Sequence, residues 1–127
     1  MDYRFRGYDA VGSKGWVYGD LVHNLKVTRY KDVPRVMVGG YEVYPESVGL
    51  SSGLKDKNGK EIYVGDIVDI YDSDLEEHVE QDVLFENGVF GIRNYFGSLT
   101  TLSFFLSGGD SEYSIEVTGT IFERDNL

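Results

Sequence analysis

The sequence predicts an all-β protein of antiparallel strands with at most one short helix. Three observations carry that expectation: sixteen glycines stand against two prolines, β-branched and aromatic residues gather in short runs between the glycines, and apolar and polar residues alternate within those runs. Phe5 alternates with Arg4 and Arg6, as Tyr3 does, so a strand here sets rings on one face and guanidiniums on the other. Trp16 to His23 forms a second candidate strand, with Trp16, Tyr18 and Asp20 opposing Val17, Gly19 and Leu21.

Two hairpins are sharply specified. Arg35 to Val38 leads through Gly39-Gly40 into Tyr41 to Tyr44, and Val83 to Glu86 leads through Asn87-Gly88 into Val89 to Ile92. Each two-residue turn needs positive φ, which glycine adopts freely and asparagine more readily than most residues. Asp56 to Lys60 is a tight polar turn, and Gly65-Asp66 introduces a strand over Ile67 to Tyr71. Ser73 to Glu76 has the spacing of a helix capping box, but the alternation of Val79, Gln81, Val83 and Phe85 favours a loop feeding a strand. Residues 97–106 support either a strand or a short helix, since Leu99, Leu102 and Leu106 have helical spacing among β-favouring Thr and Phe. Tyr113 to Glu123 alternates about Ile115, Val117 and Ile121 and reads as a last strand bent at Gly119. The chain of 127 residues is expected to be one domain, with subdomains at 1–48 and 54–127 meeting where alternation gives way to Ser and Gly between Pro45 and Gly53.

Charge is uneven. The net charge is -10, and counted along the chain the first 60 residues carry +3, residues 61–92 carry -10 with no base among them, and residues 93–127 carry -3. The acidic block reads as a solvated face, as a surface for a basic partner, or as an imitation of nucleic-acid charge. General nucleic-acid affinity, which depends on Lys and Arg neutralising phosphates, is disfavoured by that balance. Cysteine is absent, which excludes a disulfide scaffold and a thiol nucleophile. With no signal-like N-terminus and no long apolar window, a cytoplasmic protein without membrane association is expected.

A catalytic centre is hard to assemble, so the chain is not expected to be an enzyme. His23 and His78 lie far apart, neither with a partner motif, and no nucleophile elbow or phosphate loop is present. Asp69, Asp72, Asp74, Glu76 and Glu77 supply hard oxygen atoms, but without the spacing of a calcium loop, so neither metal nor cofactor is expected. Arg4, Arg6 and Arg29 beside Tyr3, Phe5, Tyr8 and Tyr30 form the one basic-aromatic interleaving, a candidate face for single-stranded nucleic acid.

One string is distinctive: Tyr41, Val43, Pro45, Glu46, Val48 and Gly49, then Gly53 through Tyr63, then Gly65-Asp66-Ile67-Val68. Together with Phe5-Arg6 and Tyr8-Asp9 near the N-terminus, the Phe85 to Ile92 hairpin, and Glu116 to Gly119 with Ile121 to Glu123, it resembles the YopX family of phage and prophage proteins over nearly the whole chain. Leu50, Ser51 and Ser52 stand where the family tends to show Gln, an aromatic and Thr, and Tyr8 stands where Trp is usual. The resemblance implies an all-β architecture of small barrel-like, SH3-like parts and an uncharacterised role in a bacterial host. The chain is therefore expected to be a non-enzymatic binding or assembly protein, or alternatively an accessory factor directed to nucleic acid. Its candidate partner loop comprises Lys55, Asp56, Lys57, Asn58, Lys60 and Asp66, and its candidate nucleic-acid face Arg4, Arg6, Tyr8 and Arg29. Open strand edges in a chain with few prolines suggest a homo-oligomer, with an unidentified phage or host protein as a further partner.

Overall fold

Alternation in the sequence becomes strand nearly everywhere in the computed structural model, which describes residues 4–30, 33–94, 96–106 and 112–127, with backbone alone for 24–30 and 33–34. The chain divides into two compact units, Met1–Ser51 and Ser52–Leu127.

In the first unit, β1 (Phe5–Tyr8) pairs antiparallel with β2 (Trp16–Gly19), and the first residues of β6 (Gly49–Lys55) flank its other side, Phe5 opposite Leu50 and Arg6 opposite Gly49. A second sheet runs β3 (Leu21–Tyr30), β4 (Val33–Val38), β5 (Tyr41–Glu42), and a 3-10 turn follows at Pro45–Ser47. The expected strand from Trp16 to His23 is thus two strands, parted at Asp20, whose carbonyl accepts from the Gly39 N–H at 3.1 Å. Val17, Val38 and Val43 are buried together, with Phe5, Leu21, Val36 and Val48 packed around them. Gly7 permits this approach, because a Cβ there would meet the Val43 side chain at 2.8 Å.

The second unit holds the rest of β6 beside β7 (Glu61–Tyr63), then β8 (Asp66–Asp72) and β9 (Glu77–Asp82). After these come β10 (Leu84–Glu86), β11 (Val89–Arg93), β12 (Leu99–Thr101), α1 (Leu102–Phe105), β13 (Tyr113–Thr120) and α2 (Ile121–Asn126). One sheet has the order β13-β8-β9 and another β10-β11-β12. Their apolar sides, with Ile62 and α1, bury Val68, Ile70, Val83, Ile92, Leu102, Phe105 and Ile115. Each fully buried Ile or Leu contributes about 1.5–3 kcal/mol.

Both predicted hairpins form, with Val38 opposite Tyr41 and Glu86 opposite Val89. All four turn residues have positive φ, Asn87 at 52° among them. Ser73 to Glu76 is a turn, held by Asp72 Oδ1 accepting from the Asp74 and Leu75 N–H groups, and β9 follows it. Two expectations need correction. None of the described sheets closes into a barrel: each is short and open, with end strands. Helix is also more frequent than expected. Residues 97–106 resolve into β12 followed by α1, and the last strand stops at Thr120 where α2 begins. Thr120 Oγ1 accepts from the Glu123 N–H at 3.0 Å and donates to its carboxylate at 2.9 Å, a side-chain N-cap that overrides the apolar alternation of Ile121 to Glu123.

Candidate functional site

Strand pairing in the second unit decides which side chains share a surface, because residues directly opposite on antiparallel strands lie on one face. Asp69 of β8 is opposite Glu80 of β9 and Glu116 of β13, and Tyr71 is opposite His78 and Ser114. Val68 and Ile70 point the other way, into the core. The solvent face of this sheet therefore carries a transverse row of three carboxylates, Glu116, Asp69 and Glu80, with Asp82 two residues beyond Glu80. Its described cations stand at the margins. Lys57 lies 3.8 Å from Glu116, and Arg124 lies 3.8 Å from Asp82, its guanidinium held above the usual arginine range by its hydrogen bond to Asp125. His78 stands within the face, its Nδ1 2.8 Å from Asp69 Oδ2 and its ring stacked at 4.6 Å on Tyr71.

The predicted partner loop adjoins this face but is built as architecture. Asp56 is buried, and its carboxylate accepts from the N–H groups of Asn58, Lys60 and Val117, each at 2.9 Å. The Lys57 N–H donates to the Ile115 carbonyl at 3.0 Å, so the turn is stapled to β13. Asn58 Nδ2 reaches Glu116 at 3.1 Å, while Lys55, Lys57, Asn58 and Lys60 are exposed. Asp66, the first residue of β8, is fully buried, with Oδ2 accepting from the Tyr63 N–H at 2.8 Å, and so braces the turn that leads into the strand.

Among the described residues of the basic-aromatic face, Arg6 is packed against a ring rather than left open. Arg6, Tyr8, Trp16 and Tyr18 do share one side of the β1–β2 pair, but Arg6 is buried at 5% exposure with its guanidinium carbon 4.6 Å over the Trp16 ring. Tyr8 meets Trp16 edge to face at 5.3 Å. Period 2 placed Arg6 opposite the Phe5 side; what the sequence did not reveal is that its side is also covered. Arg4 is exposed, and the side chain of Arg29 lies outside the described residues. Asp9, also in the first unit, is held below the usual carboxylate range by the N–H groups of Gly12, Val11 and Lys14. It shapes the loop bordering a groove of about 480 Å³ between that loop and β4–β5, where Arg35 already faces Glu42 at 3.5 Å.

His23 lies in the first unit and His78 in the second, and no group of three or more His, Asp or Glu able to hold a metal ion occurs among the described residues. Among the described residues no helix is long and apolar enough to cross a membrane.

A family model described as YopX protein matches residues 4–127. The chain belongs to the YopX family. Among solved structures, it is similar to the protein yopX from Bacillus subtilis, with 25% identity and a TM-score of 0.57 over 100% of this chain and 98% of that one. It is also similar in fold to a protein from Enterococcus faecalis, with 21% identity and a TM-score of 0.58 over the same shares. A search of curated proteins found no match. The YopX fold is thus what raises the acidic row: Asp69 and Glu80 come from the acidic block evident in the sequence. Glu116 comes from a strand far along the chain, and the signal for it was its out-of-phase place between Ile115 and Val117.

Proposed function

We propose that this YopX-family chain is a phage- or prophage-encoded, non-enzymatic binding protein that works in the cytoplasm of a bacterial host by docking a basic partner on the acidic face of β13-β8-β9. The observation that supports this reading most is the Glu116, Asp69, Glu80 row, whose carboxylates share one solvent face with Lys57 and Arg124 at its margins and only His78, on Asp69, within it. Aligned like charges cost stability in the folded state, and a cationic partner relieves that cost on binding. Direct nucleic-acid binding is supported less well, because Arg6, one of its three arginines, is buried against Trp16.

The test compares two variants of equal charge. One neutralises the face (Asp69→Asn, Glu80→Gln, Glu116→Gln) and the other neutralises acids elsewhere (Asp20→Asn, Glu46→Gln, Asp125→Asn). A lysine oligopeptide is expected to bind the natural chain with salt-dependent affinity, to bind the second variant nearly as well, and to bind the first at least about tenfold more weakly, following the loss of several charge contacts. Equal weakening in both variants would sink the assignment to this face.

A further inference from the structure

The acidic face ends in an open strand edge, and that edge specifies how a partner is held. Among the described residues β9 pairs with no strand but β8. The Val83 N–H donates to the Asp66 carbonyl at 2.9 Å, which fixes the phase of the ladder. By alternation the main-chain groups of Gln81, Val79 and Glu77 turn towards β8, and those of His78 and Glu80 turn outward. Beyond Asp82 the chain passes through Val83 into β10, which pairs with β11 from Leu84 opposite Gly91, so the stretch of β9 clear of that pairing is Glu77 to Gln81. All of its residues but Gln81 are exposed, and Val79, whose side chain lies on the core side of the sheet opposite Ile70, keeps 48% of its surface in water.

Resting on the proposed function, we infer that β9 binds an extended basic segment of a partner protein by adding it as a further strand of β13-β8-β9. Its backbone pairs with the outward N–H and C=O groups of His78 and Glu80. Its alternate side chains divide as a strand requires: lysines or arginines beside Glu80 on the solvent face, apolar residues over Val79 on the other. A second copy of this chain is a poor occupant, because each β9 carries Glu77, Glu80 and Asp82 without lysine or arginine, and pairing two such strands sets like charges side by side.

The probe is a fluorescein-labelled peptide of alternating Lys and Val, compared with one of the same composition in which all Lys precede all Val. Glu80→Pro removes an outward N–H without touching the ladder to β8, a position where an edge strand tolerates proline, and Glu80→Gln removes only the charge. The alternating peptide is expected to bind the natural chain more tightly than the blocked one and to shift the amide resonances of His78 and Glu80. Glu80→Pro, its fold checked by circular dichroism, should weaken that binding about tenfold or more, the loss of main-chain hydrogen bonds. Glu80→Gln should weaken it less, by an amount that shrinks with added salt. If folded Glu80→Pro binds as tightly as the natural chain, or both peptides bind equally, strand addition is overturned while the acidic face stands as a docking surface. If neither peptide binds the natural chain, both readings fail. A dimer in light scattering that Glu80→Pro dissociates would assign the edge to a second copy and overturn the basic partner.

Discussion

Single residues show how little their chemical type says about their use. Asp56 sits in a turn whose composition, two lysines and an asparagine around an acid, suits either a ligand loop or a self-bonded corner. Burial decides: its two oxygens are committed to three backbone donors, one of them on β13 sixty-one positions away. Asp56→Ala should therefore orphan three N–H groups and destabilise the second unit by about 2–4 kcal/mol in urea unfolding, with Asp56→Asn recovering part of the loss. A variant as stable as the natural chain would mean that water satisfies those donors and the corner is not essential. The polar turn itself was legible in the sequence, because the Asp-Lys-Asn-Gly run needs local bonds. The bond to Val117 was not, since nothing local marks which distant strand a turn will meet. Arg6 teaches the same lesson in reverse: alternation gave its side of the strand but not that Trp16 would cover it.

At the level of elements, sequence reasoning succeeded where the signal is confined to adjacent residues. The Gly39-Gly40 and Asn87-Gly88 turns require positive φ and allow little else, so both hairpins appeared where expected. Where two local signals compete it succeeded at Ser73 to Glu76, read as a loop feeding a strand, and failed at Thr120 to Glu123, read as strand. Ser73 to Glu76 and Thr120 to Glu123 both have capping-box spacing, yet only the second starts a helix. At the first site Asp72 caps the turn itself and the chain returns at once to pair as β9; at the second Thr120 caps the first turn of α2 through the Glu123 N–H. Thr120→Ala should consequently cost about 1 kcal/mol, because the cap is the main local determinant of α2. For a unit of this size that lowers the unfolding midpoint by about 4–8 °C, readable by calorimetry, and Thr120→Ser should restore most of it. An unchanged midpoint would show α2 to be held by the buried Phe122 alone. The acidic row lies between these cases, since its members on β8 and β9 stand in the acidic block while Glu116 becomes their neighbour only through strand order.

Across the whole molecule the acids are divided so that the two units should respond to pH in opposite directions. Glu112, at the head of β13, is pushed above the usual glutamate value of 4.5, chiefly by its hydrogen bond with Asp74, then by burial and by the charges of Asp74 and Asp72. A carboxyl whose folded value is raised contributes stability that is complete below its unfolded value and is lost as pH rises through the folded one. The second unit is therefore expected to be more stable at pH 5 than at pH 7, and Glu112→Gln should flatten that dependence. Asp9 has the opposite sign. Its carboxylate is held below the usual 3.8 by backbone donors, so its contribution is complete above that value and is lost as pH falls through the lowered one. The first unit should hold its stability from pH 7 to pH 5 and weaken only below about pH 3.8, and Asp9→Asn should remove that acid-dependent loss. Trp16, the only tryptophan, reports the first unit by fluorescence, while the amide resonances of Val68 and Ile115 report the second in the same urea titration. A second unit that loses stability between pH 7 and pH 5 would contradict the crowding of Glu112, Asp74 and Asp72 at the β8–β13 end of the sheet.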